Sequence, residues 1–509
     1  MPVFLDEKGL LCYNLKSRTV CEVNMNKKFL EQAEKYLPKI NEALIKPAPE
    51  RVTLNKGESI VIDLGNHYVG YFSFVMKKVT EYIDAPVRFV IRFCEVEREL
   101  DDDYNDYNGW LSASWLQEEV INVDFPGKFE LPRRYAARFV RITVKYTPKP
   151  LELSDFCFRA VTSANAEGLI PYDTSDPLLK RIDKVAVNTL KNCMQRMFED
   201  GPKRDRRLWI GDLRLEALAN YYTFNNYDIV KRCLYLFAAS KRNSYGFMPG
   251  FVYEYPEFES GSWFLEDYSL LYVCSLCDYF EHSGDLETFC DLFETASSIV
   301  DAAISTLDAD GFMTTPADGD VFIDWCEGLQ KKTALHGVFL YTLDLWCSAL
   351  AKANMYDVLP KYVSTLAQGR TDAILKLFDF DKKAFVCARD NFQYSVHSTV
   401  WMVLGGVLDG EEAREVLLNS LNSEQSVKPF TPYMHHYVLL ALTSLGLLSE
   451  AKDYIKQIWG GMIDLGADTF FEAYVASDPD FSPYGDRKVN SMCHAWSCTP
   501  TYFIRKYGM

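Results

Sequence analysis

The hydrophobic period of the sequence changes once, and that change divides the chain into two parts. From Arg51 to Val161, apolar and polar residues alternate in short runs rich in β-branched and aromatic side chains, which is the pattern of half-buried strands. These runs cover 59–64, 70–76, 87–93 and 137–144. After Thr174 the apolar residues recur at helical spacing instead. We therefore predict an antiparallel β-sandwich followed by an all-helical domain.

The helical part contains twelve periodic segments, at about 28 residues for each helix and its loop. They cover 176–198, 212–224, 228–240, 265–283, 286–306, 333–353, 357–378, 395–408, 411–420, 430–446, 448–465 and 489–507. The helices do not repeat one another in sequence, which disfavours a regular solenoid. We predict six α-helical hairpins that close into an α/α barrel.

The domain boundaries are placed where the pattern changes. Residues 1–50 are predicted to be an N-terminal extension with one amphipathic helix over Asn26–Leu44, 51–165 the β-sandwich domain, and 166–509 the barrel. Pro47 and Pro49 end the predicted helix. No Pro-rich or Gly/Ser-rich linker separates the two large domains, so we expect them to pack together.

Charge and cysteine usage limit the partners and the compartment. The formal net charge is −17, which disfavours nucleic acid and anionic membranes, because both bind cationic surfaces. Asp6, Glu7 and Lys8 interrupt the apolar core that a signal peptide needs. The 14 cysteines are scattered, as in a reducing compartment. We predict a soluble cytoplasmic protein and leave a homo-oligomer open.

The densest polar segment lies between two predicted helices, at 199–212. It interleaves four carboxylates with four basic residues around Trp209. Asp200, Asp205 and Asp212 are spaced like ligands for hydroxyl groups, and Arg204 is available to orient them. A solvated charged loop is the alternative interpretation. Because Gly and Pro residues restrain this backbone and a tryptophan is costly to expose, we favour a binding site.

Residues 200–212 resemble, without a gap, the signature Asp-Cys-Pro-x-Arg-Glu-Arg-x-Gly-Trp-x-Gly-Asp of the α-L-rhamnosidases of glycoside hydrolase family 78. In that family the Glu of the signature is the general acid. The resemblance implies Asp205 as the acid and Asp200, Arg204, Trp209 and Asp212 as sugar-binding residues. Gly201 replaces the Cys of the signature and Leu208 its first Gly. Asp205 is one methylene shorter than the Glu that it replaces.

Three further stretches agree with the same family. Residues 459–472 resemble its Trp-Gly-x-Met and Gly-Ala-Thr-Thr-x-Trp-Glu motifs, which implies Glu472 as the general base. Residues 490–497 resemble its closing Ser-Leu-x-His segment, which implies His494 as a pocket residue. The positions of Trp263, Asp267 and Trp325 also match residues that line the sugar pocket in the family.

The resemblance implies a glycoside hydrolase that removes terminal α-L-rhamnosyl or similar deoxysugar residues from small glycosides by a single inverting displacement, without a cofactor or a metal. An inverting enzyme holds its acid and its base roughly 6.5–9.5 Å apart, with a water molecule between base and sugar. Two alternatives stay open. One is another glycosidase activity on the same barrel, on a different deoxysugar or an unsaturated uronide, and the other is a non-catalytic carbohydrate-binding protein.

Three other residues are weaker candidates. Glu327 is the reserve candidate for the acid or for a sugar ligand, and its alternative is a carboxylate on a surface loop. Trp110 and Trp115 lie in a loop of the predicted sandwich. They either cover sugar faces at the mouth of the barrel or pack in a core.

Overall fold

The computed structural model describes residues 27–80, 85–124 and 126–509. Within them, the N-terminal part is rich in strands and the C-terminal part is helical, as the change in hydrophobic period predicts. Eight strands of the N-terminal part join into one antiparallel sheet. They are β1 (Asn41–Ile45), β2 (Arg51–Leu54), β3 (Ser59–Lys78), β4 (Val87–Cys94), β5 (Glu118–Val123), β6 (Gly127–Glu130), β7 (Tyr135–Tyr146) and β8 (Leu151–Thr162).

The strand order in the sheet is β1-β8-β3-β7-β4-β5, with β2 also paired to β8 and β6 to β3. β3 replaces the two strands predicted over 59–64 and 70–76. Gly65 and Asn66, which lie between them, form an irregularity within one continuous strand, where Gly65 has a φ of 80°. At Gly70, β3 pairs with Tyr135 of β7 and with Ala160 of β8. A Cβ at Gly70 would overlap the carbonyl oxygen of Arg159, so the close approach of the strands requires glycine.

The N-terminal helix is shorter than predicted. Helix α1 spans Lys27–Lys35, and Asn41–Ile45 forms the edge strand β1 on β8 instead of continuing the helix. Pro38 accounts for the difference, since proline lacks the N–H that a helix interior needs. Asn26, where the prediction began, lies outside the described residues.

Twelve further helices make up most of the C-terminal part. They are α2 (Pro177–Cys193), α3 (Ile210–Tyr221), α4 (Tyr227–Ala238), α5 (Glu266–Ser283), α6 (Leu286–Ser305), α7 (Lys332–Lys352), α8 (Leu359–Leu377), α9 (Val396–Leu404), α10 (Gly410–Asn422), α11 (Pro432–Ser444), α12 (Leu448–Asp464) and α13 (Pro500–Tyr507). Short strands lie among them: β9 (Leu208–Trp209), β10 (Phe251–Tyr253), β11 (Glu259–Ser260), β12 (Phe378–Asp379), β13 (Ala384–Ala388), β14 (Asn391–Ser395) and β15 (Ser426–Val427).

Alternate helices pack side by side around a common centre. α3 packs on α5, α5 on α7, α7 on α9 and α9 on α11. α11 in turn contacts α3, both directly and through a 3₁₀ turn at Ala495–Cys498 that packs on both helices. α3 is buried at all of its 12 positions, as expected for a helix enclosed on every side. α4, α6, α8, α10 and α12 each pack on the helix that precedes them. The loops that leave this central group carry the predicted site.

The last predicted helix, over 489–507, is only partly helical. Its first half is extended chain with two 3₁₀ turns, at Arg487–Val489 and Ala495–Cys498, and α13 begins only at Pro500. Proline is favoured at the first turn of a helix but not in its interior, so Pro500 sets this start. The extended half brings His494 to the predicted site.

Among the described helices, α7 is long and apolar enough to span a membrane by length and composition. Most of its apolar stretch is buried between other helices of the protein. A core helix of a large helical domain has the same composition.

A buried charge network joins the sheet to the polar loop at 199–212. Lys203 of the loop donates hydrogen bonds to Glu99 Oε1 at 2.7 Å and to the carbonyl oxygen of Asn490 at 2.9 Å. Its Nζ lies 3.8 Å from Glu95 Oε2, and the other oxygen of Glu95 is 3.0 Å from Nε2 of His67. Glu95 and Glu99 directly follow β4, so the sheet fixes both the loop and the chain at Asn490.

We expect Lys203→Met to lower the free energy of unfolding by about 3–5 kcal/mol, because it leaves two buried carboxylates without a counter-charge. Lys332→Met is the matched control, since its ion pair with Asp390 is largely exposed and is worth about 1 kcal/mol or less. Urea unfolding of both variants measures the difference. Equal losses in the two variants would contradict the role assigned to the network.

Candidate active site

A cavity of about 400 Å³ lies among the loops between the helices, next to the sheet. Its walls carry nine of the ten residues predicted for the site. The lining residues are Asp200, Arg204, Asp205, Trp209, Asp212, Trp263, Leu265, Tyr268, Phe322, Trp325, Glu472, Tyr484, His494 and Trp496. Aromatic walls with a few convergent polar groups are typical of small-molecule sites.

Asp200 organises the loop that carries the predicted acid. Its carboxylate accepts the backbone N–H of Asp205 at 3.2 Å and that of Arg207 at 3.0 Å. Asp200 is buried, and burial together with the charge of Asp205 raises the pKa of Asp200 to about 8. Asp200 therefore carries a proton at neutral pH, directly beside Asp205.

Arg204 connects the two predicted catalytic carboxylates. One end of its buried guanidinium forms an ion pair with Glu472 Oε2, and Nη1 lies 3.3 Å from Asp205 Oδ1. Nε donates to the carbonyl oxygen of Val489 at 3.1 Å, and the guanidinium lies 4.1 Å from the ring centre of Tyr484. This side chain is therefore held in one orientation, and it keeps Asp205 and Glu472 in the same cavity.

Glu472 is buried and ionised. It accepts hydrogen bonds from the Tyr484 hydroxyl at 2.5 Å and from the Ser491 N–H at 3.1 Å. Burial alone would raise the pKa of Glu472, but the charge of Arg204, the nearby His494 and these hydrogen bonds hold it below its usual value. A carboxylate that stays ionised at neutral pH is suited to accept a proton from water.

Asp205 is the more accessible of the two carboxylates. Its side chain keeps 16% of its exposure, compared with 3% for Glu472. Arg204 and Arg207 approach its two oxygens at 3.3 and 3.6 Å. Asp205 therefore faces the open part of the cavity, where a leaving group has access to it.

Asp212 and His494 present unused hydrogen-bonding atoms to the cavity. Asp212 Oδ1 and His494 Nδ1 are both buried, lie 3.4 Å apart and are not aligned with each other, so neither has a hydrogen-bond partner among the described residues. Burial and the charges of Asp200 and Glu472 raise the pKa of Asp212 well above its usual value. Burial lowers the pKa of His494 to about 4. A sugar hydroxyl would satisfy two such buried atoms that lack hydrogen-bond partners.

Three tryptophans predicted for the site form its aromatic walls. Trp209, at the end of β9, lies 6.0 Å from Trp263 with the two rings nearly perpendicular. The Trp263 indole N–H donates to Asp320 Oδ2 at 3.0 Å, and 43% of this side chain remains exposed. Trp325 stands edge-on to Trp496 at 5.1 Å. Such faces are suited to the apolar side of a sugar ring.

Two predicted candidates lie outside the cavity. Asp267 is buried behind the wall, where its two oxygens accept the N–H groups of Phe322 at 3.1 Å and Ile323 at 2.8 Å. It therefore supports the wall and does not line the cavity, and its assignment as a sugar-binding residue stays a prediction. Glu327 is exposed and does not line the cavity, in agreement with the surface interpretation of this residue.

The sequence interpretation missed five lining residues. Leu265, Tyr268, Phe322 and Trp496 lie beside predicted motif residues, and that proximity was the signal available for them. Tyr484 had no such signal. It lies in an irregular loop, and only the folded chain brings its hydroxyl to Glu472 and its ring to Arg204.

The arrangement combines an ionised carboxylate, a second carboxylate and neutral hydroxyl-binding groups in a cavity with aromatic walls. Comparison with known families agrees with this chemistry. The profile of the glycosyl hydrolase family 78 alpha-rhamnosidase N-terminal domain matches residues 32–160, and that of the bacterial alpha-L-rhamnosidase 6 hairpin glycosidase domain matches residues 171–397. Comparison with curated protein sequences gave no match.

Solved structures include a close relative. A rhamnosidase from Klebsiella oxytoca with rhamnose bound is 38% identical, with a TM-score of 0.90 over 95% of this chain and 99% of that one. A family 78 rhamnosidase of Bacillus sp. GL1 is 23% identical, with a TM-score of 0.76 over 90% of this chain and 47% of its own. The rhamnosidase of Streptomyces avermitilis complexed with L-rhamnose is 15% identical, with a TM-score of 0.67 over 92% and 44%. The last two share the fold, and this chain spans about half of their length.

The fold and the site thus define a glycoside hydrolase. The chain belongs to glycoside hydrolase family 78, which confirms the family resemblance in the sequence.

Proposed function

We propose that the protein is an inverting α-L-rhamnosidase that removes a terminal α-L-rhamnosyl residue from small glycosides. The observation that carries the proposal is the placement of Asp205 and Glu472 at the two ends of the Arg204 guanidinium, in a cavity with aromatic walls. The 38% identity to a rhamnosidase with rhamnose bound supports L-rhamnose as the sugar.

The proposed reaction is one displacement at the anomeric carbon. Glu472 takes a proton from a water molecule, whose oxygen attacks the anomeric carbon while the glycosidic bond breaks. A proton held by the neighbouring pair Asp200 and Asp205 passes through Asp205 to the departing oxygen, so that the aglycone leaves as a neutral alcohol. Trp209, Trp263 and Trp325 hold the ring, and Asp200, Arg204, Asp212 and His494 are placed to bind its hydroxyl groups.

The shorter acid is accompanied by a tighter loop. A Cβ at position 201, where the family signature has Cys, would overlap the carbonyl oxygen of Arg204 and lie 3.0 Å from Ser491 Oγ. Glycine at this position therefore lets residues 201–204 fold more closely than a cysteine would allow. We infer that this closer loop makes up for part of the methylene that Asp205 lacks.

The packing of the helices supports the remaining proposals about the fold. The closed contact sequence of α3, α5, α7, α9 and α11, with α4, α6, α8, α10 and α12 packed on it, fits a six-hairpin α/α barrel. We propose that the antiparallel sheet folds back on itself as a β-sandwich and that this sandwich packs against the barrel. The cytoplasmic compartment, and therefore small imported glycosides as substrates, stays a prediction.

A panel of aryl glycosides tests the proposed function. We expect release of 4-nitrophenol from the α-L-rhamnoside at least about 100-fold faster than from other aryl glycosides, because a site built for specific hydroxyl groups strongly rejects sugars that leave its polar atoms unpaired. Faster release from another deoxysugar or from an unsaturated uronide would replace rhamnose as the substrate. No release from any member would contradict the proposed activity.

We expect a bell-shaped dependence of kcat/KM on pH. On the acid side, activity falls only as pH drops through the lowered pKa of Glu472, because the base must be ionised. On the alkaline side, activity falls as pH rises through about 8, where Asp200 loses its proton and the neighbouring pair Asp200 and Asp205 no longer holds a proton to give to the leaving group.

The Asp200→Asn variant isolates the alkaline limb. Asparagine cannot hold the proton that the pair retains up to about pH 8, so the alkaline limb is expected to move to lower pH while the acid limb stays in place. Initial rates between pH 4 and 10 measure both limbs. An alkaline limb that is unchanged in Asp200→Asn would contradict the role given to Asp200.

A further inference from the structure

We propose that Trp110, which comes from the sheet region, forms an aglycone-binding surface at the mouth of the cavity and favours glycosides with a planar aromatic aglycone. The inference rests on the proposed function, because an aglycone exists only where a glycoside is cleaved. It adds a residue of the N-terminal part to a site otherwise built from the helical part.

The loop around Trp110 is fastened to the loop that carries Tyr484. The backbone N–H of Trp110 donates to the carbonyl oxygen of Tyr484 at 3.0 Å, and its indole N–H donates to that of Pro483 at 3.2 Å. The N–H of Asn108 donates to Asp486 Oδ2 at 3.2 Å. The indole is therefore held at both ends, and little side-chain entropy is left to lose when a ligand binds.

A row of aromatic rings runs from the cavity to solvent and ends at Trp110. The ring centres of Trp496 and Trp325 are 5.1 Å apart, those of Trp325 and Tyr484 5.6 Å, and those of Tyr484 and Trp110 5.5 Å. The first three residues line the cavity, and Trp110 is 71% exposed. The apolar wall of the sugar site thus continues outward on one side.

The position of this surface determines what it binds. The polar groups that suit a sugar lie inside the cavity, where Asp212 and His494 keep buried unused atoms. Outside the cavity, the row of aromatic rings continues to the exposed indole of Trp110, which its hydrogen bonds hold in place. A planar aromatic group stacks on such a face and excludes water from it, whereas a methyl aglycone is too small to reach it. The expected occupant is therefore an aryl or polyphenol aglycone.

The test compares Trp110→Ala with the wild-type enzyme on three substrates: 4-nitrophenyl α-L-rhamnoside, methyl α-L-rhamnoside and an α-L-rhamnosyl-glucose disaccharide. We expect kcat/KM for the aryl substrate to fall about 10-fold, mainly through KM, as the loss of one aromatic stacking contact predicts. The methyl substrate is expected to change less than about 2-fold, and the disaccharide, whose second sugar ring covers less of an indole face than a planar aromatic ring does, clearly less than the aryl substrate. Trp110→Phe, which keeps a ring, retains most of the activity on the aryl substrate.

Tyr356→Ala is the control, since this tyrosine is 58% exposed between α7 and α8 and does not line the cavity. It is expected to change no substrate. Equal losses on all three substrates in Trp110→Ala would mean that Trp110 acts only by holding Tyr484, and would overturn the inference. An unchanged aryl rate, or an equal loss on the disaccharide, would overturn it as well. A wild-type enzyme that cleaves no rhamnoside would overturn the proposed function and this inference together.

Discussion

Glu472→Gln is expected to lower kcat by about 1,000-fold and to leave KM nearly unchanged. The amide keeps the shape of the side chain: its single oxygen accepts from the Ser491 N–H and its NH2 group donates to the Tyr484 hydroxyl, but it cannot take a proton from water. General base catalysis contributes roughly 10²–10⁴-fold, so this loss is the largest that a single conservative change is expected to cause. Steady-state kinetics on 4-nitrophenyl α-L-rhamnoside measure it.

The matched control is Glu327→Gln, the same change at an exposed carboxylate outside the cavity. It is expected to alter kcat less than 2-fold. Because Glu472 is the buried partner of Arg204, circular dichroism and thermal unfolding of Glu472→Gln are needed to show that it remains folded. A folded Glu472→Gln enzyme with more than about a tenth of the wild-type kcat would remove Glu472 from the role of base.

Asp205→Asn is expected to produce a loss that depends on the leaving group. An asparagine cannot donate the proton that a departing alkoxide needs, so kcat/KM on methyl α-L-rhamnoside falls by about 10³-fold. A 2,4-dinitrophenyl leaving group departs without protonation, and its loss is expected to stay under about 10-fold. Rates for a series of aryl rhamnosides of increasing phenol pKa measure the dependence.

The leaving-group series is its own control, because a structural defect would slow all substrates alike. Asp390→Asn changes an exposed carboxylate that does not line the cavity, and it provides a second control. We expect this change to leave the rates unaltered. A loss that is equal for good and poor leaving groups would mean that Asp205 binds the sugar and that another group donates the proton.

Periodicity was sufficient to predict most of the fold. β4 and most of the helices coincide with their predicted segments, because burial of one or both faces leaves a regular apolar spacing. The prediction failed where contacts with distant parts of the chain determine the local structure. The predicted turn before Gly70 is part of one long strand because both β7 and β8 pair with it, and the predicted helix over 489–507 is extended up to Pro500.

The site was predictable where its residues are contiguous in sequence and not where they meet only in space. Residues 200–212 contribute five of the fourteen lining residues of the cavity in one motif. Asp267 was assigned to the sugar from the family resemblance, whereas in the structure it lies behind the cavity wall, at the start of α5. Tyr484 and Trp110 depend on the contact between the two parts of the chain. No spacing of residue types in the sequence predicts that contact.

The stereochemistry of the first-formed sugar tests the central claim most directly. Proton NMR recorded within the first minutes of hydrolysis of 4-nitrophenyl α-L-rhamnoside, before the anomers equilibrate, distinguishes the two outcomes. Direct attack by a water molecule activated by Glu472 predicts β-L-rhamnose as the first product. The appearance of α-L-rhamnose first would contradict the single displacement and with it the role of Glu472.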